Sequence, residues 1–187
     1  SSIAVTSTAA NDTVAEINNI TAQTTGVVTA TVSDNDLTTL AGVTDSGNAL
    51  TISVTDASSD AAALNVLDGK TTVAITVTST ALTGALSDLK AAYDANTAGT
   101  LTGLGNETVT VSDSGTVSAA DLIALNGLTT GVITVSSATG VSGSQADITT
   151  IYAANSAGTI TGLGNEAITV TDGGSSTDLT SIDALTT

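Results

Sequence analysis

The chain has 187 residues, of which 18 are acidic and two are basic, and its formal net charge of −16 repels nucleic acid and anionic membrane surfaces while attracting cations such as calcium. Cys and His are absent, which excludes disulfides, thiolate metal sites and the bases of hydrolytic triads, so we expect no enzyme. The composition is 41% hydrophobic, which argues for a folded domain and against disorder.

Short runs of alternating Val, Ile, Leu and Thr predict β-strands, because β-branched residues at a period of two suit a half-buried strand. We expect about seven strands on this pattern. In chain order the runs are Ile3–Val5, Val27–Val32, Leu50–Val54, Val73–Val77, Val109–Val111, Val132–Val135 and Ile168–Val170.

Between these runs, an acidic residue followed by two aliphatic residues three apart predicts short helices with one apolar stripe. The intact copies begin at Glu16, Asp36, Asp121, Asp147 and Asp178, and degenerate copies contain Asp88 or Ala63. A hydroxyl residue stands three positions before each intact acid, as in a capping box. These residues are Thr13, Ser33, Ser118, Ser144 and Ser175, so we interpret the acids as parts of helix caps.

A longer repeat organises the chain. The segments 97–113 and 156–172 are identical at 12 of 17 positions and each contains the sequence GLGNE before a strand. Alternation of short helices and strands favours a parallel sheet with helical crossovers. We therefore predict one α/β domain, a right-handed solenoid with one long parallel sheet, and units 1–48, 49–106, 107–165 and 166–187. An all-β sandwich or a β-solenoid array is the alternative fold.

The last segment, SIDALTT, matches the helix and turn of one repeat type, and a strand should follow it. An open repeat array exposes a sheet edge. We expect that the array continues, or that copies stack head to tail with the Ile3–Val5 strand completing the end of another copy.

Acidic and amide side chains supply the oxygen ligands that calcium prefers. The calcium candidates are Asp34 and Asp36, Asn106 and Glu107, Asn165 and Glu166, and the strand-terminal Asp113 and Asp172. No twelve-residue EF-hand loop and no glycine-aspartate nonapeptide accompanies them. The alternative interpretation is that they cap helices, form turns or build asparagine ladders.

The remaining motifs favour structural roles. The glycines of GLGNE precede a strand, whereas a phosphate-binding loop precedes a helix, so we interpret them as turn glycines. Tyr93 and Tyr152 occupy the same repeat position, four residues after Leu89 and Ile148. That spacing favours the edge of the core over stacking on a ligand.

The GLGNE-plus-strand units and the repeated acid-aliphatic helices resemble the long tandem repeats of giant exported proteins of cyanobacteria and marine bacteria. The composition is similar to that of S-layer proteins and adhesins secreted by the type I route. The resemblance implies an extracellular, cell-surface role, stabilisation by calcium and no catalytic residues.

Three functions compete at this stage. The first is a self-assembling subunit of a filament, sheath or surface layer, whose partners are copies of itself or adjoining repeats of the same chain. The second is a stalk or spacer of a giant adhesin. The third is a module that binds ice or glycan, for which regular threonines such as Thr108 and Thr110 could form an array. No partner is expected among nucleic acids, and no insertion into membranes.

Overall fold

The computed structural model describes residues 2–9, 11–173, 180 and 182–184, and within them the chain is an α/β protein. Its six helices confirm the predicted α/β class, and the all-β alternative is wrong. The helices are α1 (Val14–Thr21), α2 (Leu37–Leu40), α3 (Ala61–Asp68), α4 (Leu86–Ala98), α5 (Ala119–Asn126) and α6 (Gln145–Ala157).

The strands of the described residues are short, and they pair with one another in parallel. They are β1 (Val5–Thr6), β2 (Val28–Thr31), β3 (Ala49–Thr51), β4 (Ser53–Val54), β5 (Ser58–Asp60), β6 (Ile75–Val77), β7 (Ala81–Gly84), β8 (Leu101–Thr102), β9 (Thr108–Val111), β10 (Thr116–Ser118), β11 (Ile133–Thr134), β12 (Gly140–Gly143), β13 (Ile160–Thr161) and β14 (Ala167–Val170).

The chain divides into two compact units. The first unit contains Ser1–Thr80 and Ala91–Leu104, and its strands are ordered β1-β2-β3 in one sheet and β4-β6-β8 in another. The second unit contains Ala81–Lys90 and Gly105–Thr187, where the orders are β13-β11-β9-β7 and β10-β12-β14. In both units, neighbouring strands come from successive strand-and-helix segments of the chain. We call each such segment a turn, and each turn is hydrogen-bonded to the next.

The prediction of seven strands in one sheet is wrong, because the described residues form fourteen strands in four sheets. Each predicted run overlaps a strand, but the run 50–54 is divided between β3 and β4. The missed strands are β5, β7, β8, β10, β12 and β13, and two of these, β8 and β13, have only two residues. Two residues cannot display an alternating pattern, so sequence periodicity does not detect these two strands.

The capping predictions are confirmed for three helices and wrong for one. Thr13 and Glu16 form a complete capping box at α1, and the hydroxyls of Ser118 and Ser144 accept from the third helical residue of α5 and α6. At α2 the predicted cap Ser33 is not used. Asp36 itself is the N-cap and accepts from the backbone N–H of Thr39 at 2.8 Å, because this four-residue helix begins only at Leu37. The predicted pair of Ser175 and Asp178 lies outside the described residues.

The helices bury residues three apart, as their apolar stripes predict. Ala61, Leu64 and Leu67 of α3 are at most 1% exposed, and the corresponding residues of α5 are equally buried. Removing a leucine side chain from water stabilises a fold by about 2 kcal/mol, so these stripes hold each helix on its sheets. Tyr93 and Tyr152 are 1% and 2% exposed. Both rings therefore lie in the core, as predicted, and neither face is presented to a ligand.

Candidate functional site

One hydrogen bond recurs between successive turns: an aspartate carboxylate of one turn accepts from the first backbone N–H of a helix in the preceding turn. The backbone N–H of the first helical residue donates to an aspartate that lies 19 to 27 residues further along the chain. The four donor–acceptor pairs are Val14 with Asp34 (2.7 Å), Leu37 with Asp56 (2.8 Å), Leu86 with Asp113 (2.7 Å) and Gln145 with Asp172 (3.1 Å). The first N–H groups of a helix have no partner inside the helix and carry a partial positive charge. Each aspartate therefore caps the helix of the preceding turn.

This arrangement gives a role to three of the predicted calcium ligands. Asp34, Asp113 and Asp172 each use a carboxylate oxygen to cap a neighbouring helix, and Asp36 caps its own. Sequence reasoning missed these caps between turns and missed Asp56 altogether. The available signal was the aspartate shortly after β2, β4, β9 and β14, which lies 19 to 27 residues after a helix start.

The carboxylate of the GLGNE loop turns back onto its own backbone. Glu107 is 1% exposed, and its Oε2 accepts from the N–H groups of Gly105 (2.8 Å) and Asn106 (3.2 Å). In the second copy, Oε2 of Glu166 accepts from the N–H of Gly164 at 2.7 Å. Successive backbone N–H groups form a concave site for an anion, and here the chain supplies that anion itself.

Tyr152 extends the second of these loops. Its hydroxyl donates to Oε2 of Glu166 at 2.9 Å. Burial raises the pKa of Tyr152 well above its ordinary value, and the hydrogen bond and negative charge of Glu166 raise it further. The phenol therefore stays neutral and serves as a donor that ties α6 to the loop.

The asparagines that bridge segments are not the predicted ones. Asn106 and Asn165 are exposed at the loop tips. Instead, the amide of Asn96 both donates to the carbonyl and accepts from the N–H of Leu104, and Asn155 does the same with Leu163. Each amide thereby pairs with both the N–H and the carbonyl of a leucine that lies outside the strands.

The described residues contain no group of three Asp, Glu, His or Cys side chains that could hold a metal ion. The predicted candidates are instead distributed over helix starts and loops. The carboxylates among them accept hydrogen bonds from backbone N–H groups, and Asn106 and Asn165 are exposed. A calcium site thus stays a prediction.

Hydrogen bonds lower the pKa of three acids, Glu16, Asp36 and Asp45, below the ordinary value. The backbone N–H and the hydroxyl of Thr13 both donate to Glu16 at 2.8 Å and lower its pKa. The N–H of Thr39 lowers the pKa of Asp36, and the side chain of Asn48 lowers that of Asp45. A lowered pKa means that the fold favours the ionised form. The stability that the ionised carboxylates contribute to the fold is present above the unfolded pKa of about 4, and it is lost as pH falls through the lower folded pKa.

The substitution Thr13→Ala should raise the pKa of Glu16, because it removes the hydroxyl donor while the backbone donor of residue 13 remains. We expect the midpoint to move toward, without reaching, that of an unperturbed glutamate. An NMR titration of the side-chain carboxyl carbons measures this directly. Asp36, which accepts its hydrogen bond from Thr39 of its own helix and not from Thr13, is the internal control and should titrate unchanged. An unaltered midpoint for Glu16 would contradict the capping geometry.

No helix in the described part of the chain is long and apolar enough to cross a membrane. No protein-family model, curated protein or solved structure matches the chain.

Proposed function

We propose that this chain is a structural repeat protein of the bacterial cell surface, without catalytic activity. In this proposal its turns stack as a right-handed solenoid, and copies assemble head to tail into a filament, sheath or surface layer outside the cell. The support comes from the contacts between turns: parallel strand pairing and the aspartate caps recur from one turn to the next within each unit. Each turn therefore presents, on the side facing the next turn, the same kinds of strand and helix-start hydrogen-bonding groups that the preceding turn presents to it.

The observation that carries the proposal is the outer edge of β1. The N–H groups of Val5 and Ser7 donate to the carbonyls of Val27 (3.0 Å) and Thr29 (2.9 Å). Because backbone groups alternate sides along a parallel strand, those of Thr6 point away from β2. No strand among the described residues pairs with this side. An unpaired edge is a template for a strand of another chain.

Apolar surface accompanies this edge. Ile3 is 66% exposed, and it lines a cleft of about 360 Å³ together with Val5 and Ile20. Covering a large apolar side chain stabilises an interface by about 2 kcal/mol. A second copy that paired with β1 would cover this cleft, and so gain hydrogen bonds and apolar burial together.

The partner surface that we propose is β14. This strand pairs only with β12 in the described residues, so its other side is open. Ile168 and Val170 on it are half-buried, whereas the matching Val109 and Val111 of β9 are 1% exposed. Pairing β14 of one copy with β1 of the next is parallel, and it would bury apolar side chains on both strands.

The substitution Thr6→Pro should prevent assembly. Proline removes the outward N–H and is tolerated on an edge strand whose N–H faces solvent, so β1 keeps its bonds to β2. Thr6→Ala keeps the N–H and is the matched control. We expect the wild type and Thr6→Ala to form concentration-dependent oligomers or filaments in sedimentation and electron microscopy, and Thr6→Pro to remain monomeric with an unchanged melting temperature.

The same experiment separates the competing functions. Each sample is prepared with calcium and with a chelator, so that loss of assembly on chelation would identify calcium as a clamp. If the wild type stays a monomer at high concentration under both conditions, head-to-tail assembly is wrong. The stalk or spacer of a longer adhesin is then the better proposal, because hydrogen bonds that run from turn to turn also suit a stiff connecting rod.

A further inference from the structure

Hydroxyl side chains form ladders across neighbouring strands of two sheets. In the first unit, the strand register places Ser53, Thr76 and Thr102 side by side, and all three are exposed. In the second unit, the register aligns four threonines of β7, β9, β11 and β13. These are Thr83, Thr110, Thr134 and Thr161, and each is exposed or half-buried.

The spacing within a ladder is fixed by the backbone. Neighbouring strands of a sheet lie about 4.8 Å apart, so the rungs repeat at that distance. Side-chain hydrogen bonds fix orientation as well. The hydroxyl of Thr102 donates to the carbonyl of Ile75 at 3.1 Å, and that of Thr161 donates to Ile133 at 3.3 Å. Threonine is stiff at χ1, so an anchored hydroxyl also fixes where the methyl group points.

The ladders are neutral in a chain whose net charge is −16. Every rung is Ser or Thr, and the outward residues beside the rungs continue this chemistry. Thr51 and Thr78 flank the first ladder, and Thr108 flanks the second. Several of the acids cap helices instead, among them Asp34, Asp56 and Asp113. The residues of the two rows themselves therefore carry no charge.

The chemistry of these rows narrows the class of ligand. A mineral surface would be bound through carboxylates, and no rung carries one. A sugar chain is usually held by aromatic stacking, but the only two aromatic residues, Tyr93 and Tyr152, are buried. What remains is a neutral, periodic partner that accepts and donates hydrogen bonds to hydroxyl groups and fits between methyl groups. Crystalline water has these properties.

We propose that the two hydroxyl ladders bind the surface of ice. Each rung fixes the position of water molecules through its hydroxyl, and the methyl groups beside it order the water between the rungs. Because the rungs repeat on a rigid backbone, water held by one rung is in register with water held by the next. A row of several rungs then makes many weak contacts with a lattice at once, as in multivalent binding. This proposal concerns the sheet faces and is independent of assembly through β1.

The test uses the whole chain and ice itself. Tyrosine at a central rung, in Thr76→Tyr or Thr110→Tyr, should raise a bulky ring above the plane of its ladder while favouring the strand conformation. Thr38→Tyr, at an exposed position of α2, is the control. We expect the wild type and the control to enter a growing ice crystal and to slow recrystallisation. We expect each rung variant to lose part of this activity and the double variant to lose all of it.

The proposal is wrong if the wild type is excluded from growing ice, or if the double variant binds as well as the control. Retention of the wild type on microcrystalline cellulose or chitin, without incorporation into ice, would assign the faces to a glycan instead. Circular dichroism melting of each variant shows that the fold is kept. Thr6→Pro should bind ice like the wild type, so failure of assembly and failure of ice binding are distinguishable.

Discussion

Gly131→Ala should lower the free energy of unfolding of the second unit by about 3 kcal/mol, at the upper end of the usual cost of overpacking. A Cβ at this position would lie 1.7 Å from the carbonyl oxygen and 2.5 Å from the carbonyl carbon of Glu107. Both are backbone atoms, so no side-chain rotation can relieve the clash. The N–H of Val109 donates to the carbonyl of Val132 at 2.9 Å close by, which holds the two turns together at this point.

Gly115→Ala is the matched control for this prediction. Its Cβ would meet no atom within 4 Å, although it lies in the same unit. Urea denaturation followed by far-UV circular dichroism should show a lowered midpoint for Gly131→Ala and a midpoint close to that of the wild type for Gly115→Ala. Equal midpoints for the two variants would mean that the turns do not approach as closely as this contact requires.

The same close approach recurs in the first unit, where a Cβ on Gly26 would lie 2.4 Å from the backbone of Ile3. Gly26 and Gly131 both follow two threonines and precede a valine. The repeated Thr-Thr-Gly-Val segment is therefore the place where one turn crosses the backbone of the preceding turn, and glycine is required there for space and not for a positive φ.

Asp12→Val should raise the free energy of unfolding by about 2 kcal/mol, since an unpaired polar group in the core costs roughly that amount. Asp12 is 7% exposed, and its Oδ2 is buried without a hydrogen-bond partner among the described residues. It pairs with Val32 across a parallel bridge, and Val32 is equally buried. The neighbouring turn thus fills the same position with an apolar side chain of similar size.

Removal of one negative charge from a chain of net charge −16 could by itself stabilise the fold, so two further variants are needed. Asp121→Asn removes an exposed charge and should leave stability nearly unchanged. Asp12→Asn removes the buried charge but keeps a polar group, and its stability should fall between that of the wild type and that of Asp12→Val. A loss of stability in Asp12→Val, measured by urea denaturation, would show that this carboxylate has a stabilising partner.

Sequence patterns predicted the local elements well where those elements are long enough to show a period. Leu122 and Leu125 indicated α5, and Ser118 before Asp121 indicated its cap, because both signals act within one turn of helix. The candidate site was predicted less well. Asp113 and Asp172 were assigned to calcium, whereas each caps a helix that begins 27 residues earlier. A hydrogen bond over that distance depends on how turns stack, which no local pattern records.

The sequence by itself determined the α/β class, the parallel pairing, the repeated GLGNE turn and the burial of the helix stripes, because each follows from the residues of a single segment or from the alternation of segments. Only the tertiary structure decided which turns are neighbours. That choice divides the strands among four sheets, brings aspartates to helix starts in other turns, and aligns Thr83, Thr110, Thr134 and Thr161 in one row. The physical reason is that strand register, and not sequence spacing, sets the distance between side chains on different turns.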